Sequence, residues 1–239
     1  MEKAAAFLET HRYAAYVGAS LGFSKMEGTT VNEKDKVAYS ALQNIQASMV
    51  AGNAANVPGN GVSVPKQLVA GGVMALKLGG GVKDDKGAAI ASEWMPLDIK
   101  PLLVGEDLAV PDALGNSANA DKIANPDNLK FSEKLRTLFI GEDSSQHVNN
   151  FLWAYNVDAK ALARIMSIPA GGESTGLHAV DEVNGWTYIM SNFQHAGDWG
   201  AIHATVKGTL DPLINANYKG KAAAAVGYLT ADLQPAKKA

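Results

Sequence analysis

From about Gly28 onward the chain is written in short runs in which apolar and polar side chains alternate, each closed by Gly, Asn, Asp or Pro. Alternation with a period of two is the mark of strands that bury one face. Three stretches repeat the pattern: residues 26–43 (MEGTTVNEKDKVAYSALQ), 126–143 (PDNLKFSEKLRTLFIGED) and 173–192 (ESTGLHAVDEVNGWTYIMSN). Each reads as a polar entry, a strand, a charged turn and a second strand. Val31, Phe131 and Ala179 align in the first strand, and Tyr39, Phe139 and Tyr188 in the second, with a single-residue insertion in the third copy. A hairpin of this kind exposes an apolar face that only a neighbouring unit can cover. Repetition at wide spacing therefore predicts a stacked β array such as propeller blades.

Further strands are predicted over 72–78 (GVMALKL) and 94–104 (WMPLDIKPLLV). Pro96 and Pro101 make the second an edge strand or an irregular one. Residues 151–157 and 162–168 form another hairpin around a turn at 158–161, so four consecutive strands follow one another from 126. Residues 2–17 read as a helix ending at Gly18, a good C-cap. Residues 46–61 and 108–125 read as long loops. Beyond Trp199, 201–206 alternates like a strand, 210–218 suits a helix, and 221–229 suits a last Ala-rich strand. The expected fold is mainly β: a partial β-propeller of roughly three to four blades. It forms a single domain over 1–239, with a helical lead-in at 1–18 and a flexible tail at 230–239.

Charge is nearly balanced, with 21 basic and 24 acidic residues, so no basic footprint for nucleic acid exists. No run approaches the ~18 apolar residues of a membrane span. Glu2, Glu9, His11 and Arg12 interrupt any apolar core near the start, so no signal peptide is read there. The chain has no cysteine, which excludes disulfides, a thiol nucleophile and thiolate metal ligands.

Acidic residues mark the ends of the repeats. Glu27 and Asp127 hold equivalent entry positions, Glu173 lies two residues before the corresponding place in the third copy, and Glu142 and Asp143 close a second strand. In a propeller such ends converge on one channel. Crowded carboxylates repel unless a cation lies among them. Oxygen donors of this kind, with Asn128 as a helper, suit calcium or ferric iron better than zinc. Read singly, each acid is also an ordinary turn former. SNFQHAGDW at 191–199 places Gln194, His195 and Asp198 after a strand, and GEDSSQHVNN at 141–150 does the same for Gln146 and His147. Neither a zinc spacing nor a nucleophile elbow occurs. Arg136 is expected to be solvated in a hairpin turn.

ANPDNLKF, GEDSSQHVNNFLWAYNV, ESTGLHAV and SNFQHAGDW together resemble successive signatures of the PhoX-type bacterial alkaline phosphatases, over roughly residues 4–199. The resemblance implies the C-terminal half of a propeller phosphatase that is periplasmic or extracellular and acts on phosphate esters with calcium and iron. It implies catalytic roles for Glu27, Glu173 and His195, and metal ligation by Glu27, Asp127, Asn128, Glu142 and Glu173. Ala196 replaces the Pro of the family's Gln-His-Pro-Gly motif. Family members are about twice as long, and the missing N-terminal part carries their iron-binding cysteine. The alternative is a non-catalytic interaction module that completes its ring with another chain or a second copy.

Overall fold

The computed structural model describes residues 2–20, 22–56, 61–219 and 224–232. Two short helices, α1 (Glu2–Leu8) and α2 (Thr10–Tyr16), lead in. The single helix expected over 2–17 is thus broken at Glu9, whose backbone leaves the helical region (φ −133°, ψ 44°). Neither segment has a buried stripe to hold the two in line: Phe7, Leu8, Tyr16 and Val17 are all exposed.

Three antiparallel sheets follow. The first runs β1 (Met26–Asn32), β2 (Val37–Leu42), β3 (Gly72–Gly79) and β4 (Met95–Val104), paired in that order. The second repeats it with β5 (Pro126–Ser132), β6 (Thr137–Glu142), β7 (Phe151–Asn156) and β8 (Ala161–Ser167). The third contains β9 (Glu173–Val183), β10 (Trp186–Gln194) and β11 (Ala225–Asp232), with β10 central. Between β10 and β11 lie a 3-10 turn at Ala201–His203 and helix α3 (Lys207–Tyr218). The strand expected at 201–206 is therefore a helical turn, in which His203 donates and accepts: its ring bonds Gly200 N–H and the Val148 carbonyl. The proline-bearing strand is β4, at the edge of its sheet. Of the expected tail, Thr230 to Asp232 belong to β11, and residues 233–239 lie outside the described residues. Most of the last expected strand is β11, but residues 221–223 also lie outside them.

The hairpins of the first two sheets match residue for residue at an offset of 100 positions. Met26 pairs with Leu42 as Pro126 does with Glu142, and Asn32 with Val37 as Ser132 does with Thr137. The third hairpin turns through Asn184–Gly185 alone, both at positive φ, rather than through a charged turn. Such a pair matches the twist of the flanking strands, which a longer charged loop need not do.

The sheets stack through two apolar layers. Tyr39, Ala41 and Val73 of the first sheet meet Phe131, Leu138, Ile140 and Trp153 of the second. Phe139 and Leu152, on the second sheet's other face, meet Ala179 and Ile189 of the third. Each of the larger aliphatic and Phe side chains contributes about 1.5–3 kcal/mol on burial. The first strand of each sheet is drawn against the next. A Cβ on Gly28 of β1 would lie 2.5 Å from the Asp127 carbonyl oxygen, so only glycine permits this approach of β1 to β5. Arg136 is not solvated. Its side chain is 14 % exposed and bridges Asp35, Glu133 and Asp158, tying the turn of the second sheet to that of the first.

Candidate functional site

The entry residues of β1 and β5 are set by the same device. Lys25 and Asn125 adopt positive φ (35° and 46°), and the third sheet has Gly171 there (φ 75°). Each lies two residues before an acid: Glu27, Asp127, Glu173. A bulge then interrupts the ladder between Met26 and Thr29, and again between Pro126 and Leu129. Bulges re-aim side chains, and here they carry Glu27, Asp127 and Asn128 onto the same end of the stack. A second tier follows the returning strands. Gln43 N–H donates to the Lys25 carbonyl (3.0 Å), Asp143 N–H to that of Asn125 (3.2 Å), and the His195 ring Nδ1 faces that of Gly171 (2.9 Å). Gln43 Nε2 donates to Asp143 Oδ2 (3.0 Å), which links the first two sheets at this mouth.

The charges in this mouth act on one another. The Asp127 carboxyl is pushed up from 3.8 to about 6, first by burial and then by the negative charges of Glu27, Asp143 and Glu173; the Asn128 amide opposes the shift. Asn128 Nδ2 donates to Asp127 Oδ1 at 2.7 Å. Glu173 accepts from Gln194 Nε2 and faces His195 Nε2 at 3.3 Å. Burial alone would lower the His195 imidazole, but the Gly171 carbonyl and the Glu173 carboxylate override it and hold its proton more tightly than usual. Beside this mouth opens a polar cleft of about 520 Å³, lined among others by Lys25, Gln43, Asp143, Ser144, Asn150 and His195.

Glu142 is not part of this group. It is fully buried and both oxygens are taken: Oε1 accepts from Ala124 N–H (2.8 Å) and Trp153 Nε1–H (2.7 Å), and Oε2 from Phe151 N–H (3.0 Å) and His147 Nδ1 (3.0 Å). Side chains alternate sides along an extended chain, so Asp143, just beyond the end of β6, is the acid at the mouth, and Glu142 is a structural anchor. His147 is likewise buried, with Nε2 3.3 Å from the Asn119 carbonyl.

The fold has a counterpart among solved structures. The chain is similar in fold to Pseudomonas fluorescens PhoX in complex with vanadate, a transition state analogue. The TM-score is 0.59 at 19 % identity, and the match covers 95 % of this chain but 37 % of that one. The chain thus spans little more than a third of the length of the protein it resembles. No protein-family model matches the chain, and no curated protein matches it.

Of the residues expected from sequence, Glu27, Asp127, Asn128, Glu173 and His195 come to one mouth, and Glu142 does not. Their arrangement is not a complete cage for calcium or iron: among the described residues, no three His, Asp or Glu side chains are placed to hold one ion. Glu173 is already engaged by two donors, and Asp127 by the Asn128 amide. Sequence reading missed Lys25, Gln43, Asn150 and Gly171. For the first two the signal was present, because Lys25 and Gln43 stand 100 positions before Asn125 and Asp143.

Proposed function

We propose that the chain is a PhoX-like phosphoester-processing unit: three propeller-type blades whose shared mouth and adjoining cleft receive a phosphate ester. The observation that supports this most is the fold likeness to a phosphatase captured with vanadate, together with a mouth where His195 and Glu173 border a polar cleft. Lys25 and the protonated His195 draw the anionic ester into the cleft; Lys25 is partly neutralised by Glu27, 3.6 Å away. Glu173 and the Gly171 carbonyl keep the imidazole oriented and protonated. Water bonds to phosphorus as the ester phosphorus–oxygen bond breaks, and His195 Nε2 hands its proton to the departing alkoxide oxygen, a general-acid role.

Calcium and iron, were they held at such a site, would supply charge that polarises the phosphate and activates an attacking oxygen. This chain's donors do not complete such a site, so no step is assigned to those ions. We place the carboxylates of Glu27, Asp127 and Glu173 on one wall of the site.

Hydrolysis of glycerol 2-phosphate, whose alkoxide leaving group needs a proton, tests the reading on the purified chain, assayed alone and with added calcium and ferrous or ferric iron. Turnover inhibited by vanadate is expected, with kcat reduced on the order of 10²-fold or more in His195→Ala and KM changed little. The same kcat in His195→Ala, or no turnover and no vanadate binding under every condition, would remove the proposal.

A further inference from the structure

A run of buried side-chain amides crosses the stack at the mouth end of the sheets. Asn125 Nδ2 donates to the carbonyls of Gln43 (2.9 Å) and Val69 (2.8 Å), both in the connection between β2 and β3. Its Oδ1 accepts from the Ser144 hydroxyl (2.8 Å). Ser144 N–H donates to Asn150 Oδ1 (2.7 Å), and Asn150 Nδ2 donates to the Gly172 carbonyl (2.6 Å). Asn125, Ser144 and Asn150 are all buried. The run thus starts on the first sheet, passes through the second and ends on the connection that enters the third. Buried polar groups paired in this way specify one geometry.

His195 stands at the far end of this run. The Gly171 carbonyl accepts from its ring Nδ1 (2.9 Å), and the next carbonyl along, that of Gly172, is the one Asn150 holds. The connection at 168–172 is pinned to the second sheet at both ends: Ile168 N–H donates to the Asn150 carbonyl (2.8 Å), and Asn149 Nδ2 to the Ile168 carbonyl (2.7 Å). The turn that carries His195 packs directly on it. Gly197 N–H donates to the Ala170 carbonyl (2.8 Å), and a Cβ on Gly171 would lie 2.8 Å from the Asp198 nitrogen. We infer that Asn150 is a positioning residue for His195. By holding the Gly172 carbonyl it aims the neighbouring Gly171 carbonyl at the imidazole, and so sets where Nε2 stands in the cleft. It acts through two backbone carbonyls and not on the ester. The geometry stands apart from the phosphatase reading; its effect on turnover rests on that reading.

Acylation of the full chain by diethyl pyrocarbonate at about pH 7, read histidine by histidine through peptide mass spectrometry, tests it. The reagent needs an unprotonated ring nitrogen, which the Gly171 and Glu173 contacts deny it although the His195 side chain is 35 % exposed. Asn150→Ser is one bond too short to span Ser144 and Gly172, and Asn150→Ala removes both contacts. Each should speed acylation of His195 about fivefold, the worth of one net hydrogen bond. Exposed His178 is the reference and should react as in the parent, while buried His147 should stay protected wherever the fold is intact. Asn156→Ala is the structural control. Asn156 likewise accepts from a backbone N–H (Ala159, 2.8 Å) and donates to a carbonyl (Leu135, 3.2 Å), but at the opposite end of the second sheet. It should leave His195 unchanged. On glycerol 2-phosphate, Asn150→Ser should lower kcat about tenfold with KM little changed. Unchanged His195 acylation in both Asn150 variants, the same rise in Asn156→Ala, or loss of the fold in both Asn150 variants, seen as acylation of His147, would each overturn the inference. If the parent shows no turnover the phosphatase reading fails, and faster His195 acylation in the Asn150 variants would still support the positioning role.

Discussion

Glu142→Ala should cost about 3–5 kcal/mol of stability, the range for removing one partner from a buried charged cluster. Truncation leaves the Ala124 and Phe151 amides, the Trp153 indole and the His147 ring without their common acceptor. Each buried donor left unsatisfied costs about 1–3 kcal/mol, and the cavity adds to that. Against a total stability of about 5–15 kcal/mol, a domain near the lower end of that range would then be close to unfolding at room temperature. Glu142→Gln retains the volume and one acceptor oxygen, but turns an amide NH₂ towards other donors, so it should fall between parent and alanine variant. Urea denaturation of the three proteins checks this. A loss below about 1 kcal/mol in Glu142→Ala would show that the donors find other partners or water, and that Glu142 is not an anchor.

Asp127→Asn should have the opposite sign. The Asp127 carboxyl titrates near 6 in the fold against 3.8 ordinarily, so the folded state binds protons more tightly than the unfolded one. Stability from this group is therefore greatest below pH 4 and falls as pH rises from about 4 to about 6. Asparagine removes the buried charge while its side-chain oxygen can still accept from Asn128. The variant should be more stable than the parent above pH 6 by about 1–2 kcal/mol, after allowing for solvent screening of a partly exposed group. The gain should vanish near pH 4. Thermal melts across pH 3–8 check it, and equal melting temperatures for variant and parent at pH 7 would refute it. Added calcium that bound at this mouth would narrow the gap by stabilising the ionised parent.

The sheets were legible in the sequence because short apolar-rich runs recur between turns that carry Gly, Asn or charged residues, although β6 does not alternate, since Leu138, Phe139 and Ile140 are all buried between two sheets. Even the pairing of Val31 with Phe131 and of Tyr39 with Phe139 as equivalents follows from the common offset. The third copy was harder, since the Asn184–Gly185 turn shortens the hairpin and β9 carries its own bulge near Gly176. The lead-in helices and the 201–206 turn were misread for one reason. Local pattern cannot tell whether a neighbour exists: α1 and α2 bury none of their described side chains, and His203 has the buried Val148 carbonyl.

At the site, sequence located the carboxylates but not their directions. Glu142 and Asp143 are adjacent acids, and which of them meets the mouth depends on strand parity relative to the core. Trp153, seated 2.7 Å from Glu142, gives the answer only once β6 and β7 are in register. Gln43 could have been found from its offset of 100 positions from Asp143, but its bond to that acid across two sheets has no local signature.

The account rests on Glu27, Asp127, Asp143 and Glu173 sharing one mouth. Titration of the Asp127 side-chain carboxyl carbon by NMR in the metal-free chain tests this most directly, with Glu27→Gln as the partner experiment. A midpoint near 6 in the parent, falling in Glu27→Gln, is the predicted result. A midpoint at the ordinary 3.8, unmoved by the substitution, would mean that these carboxylates do not meet.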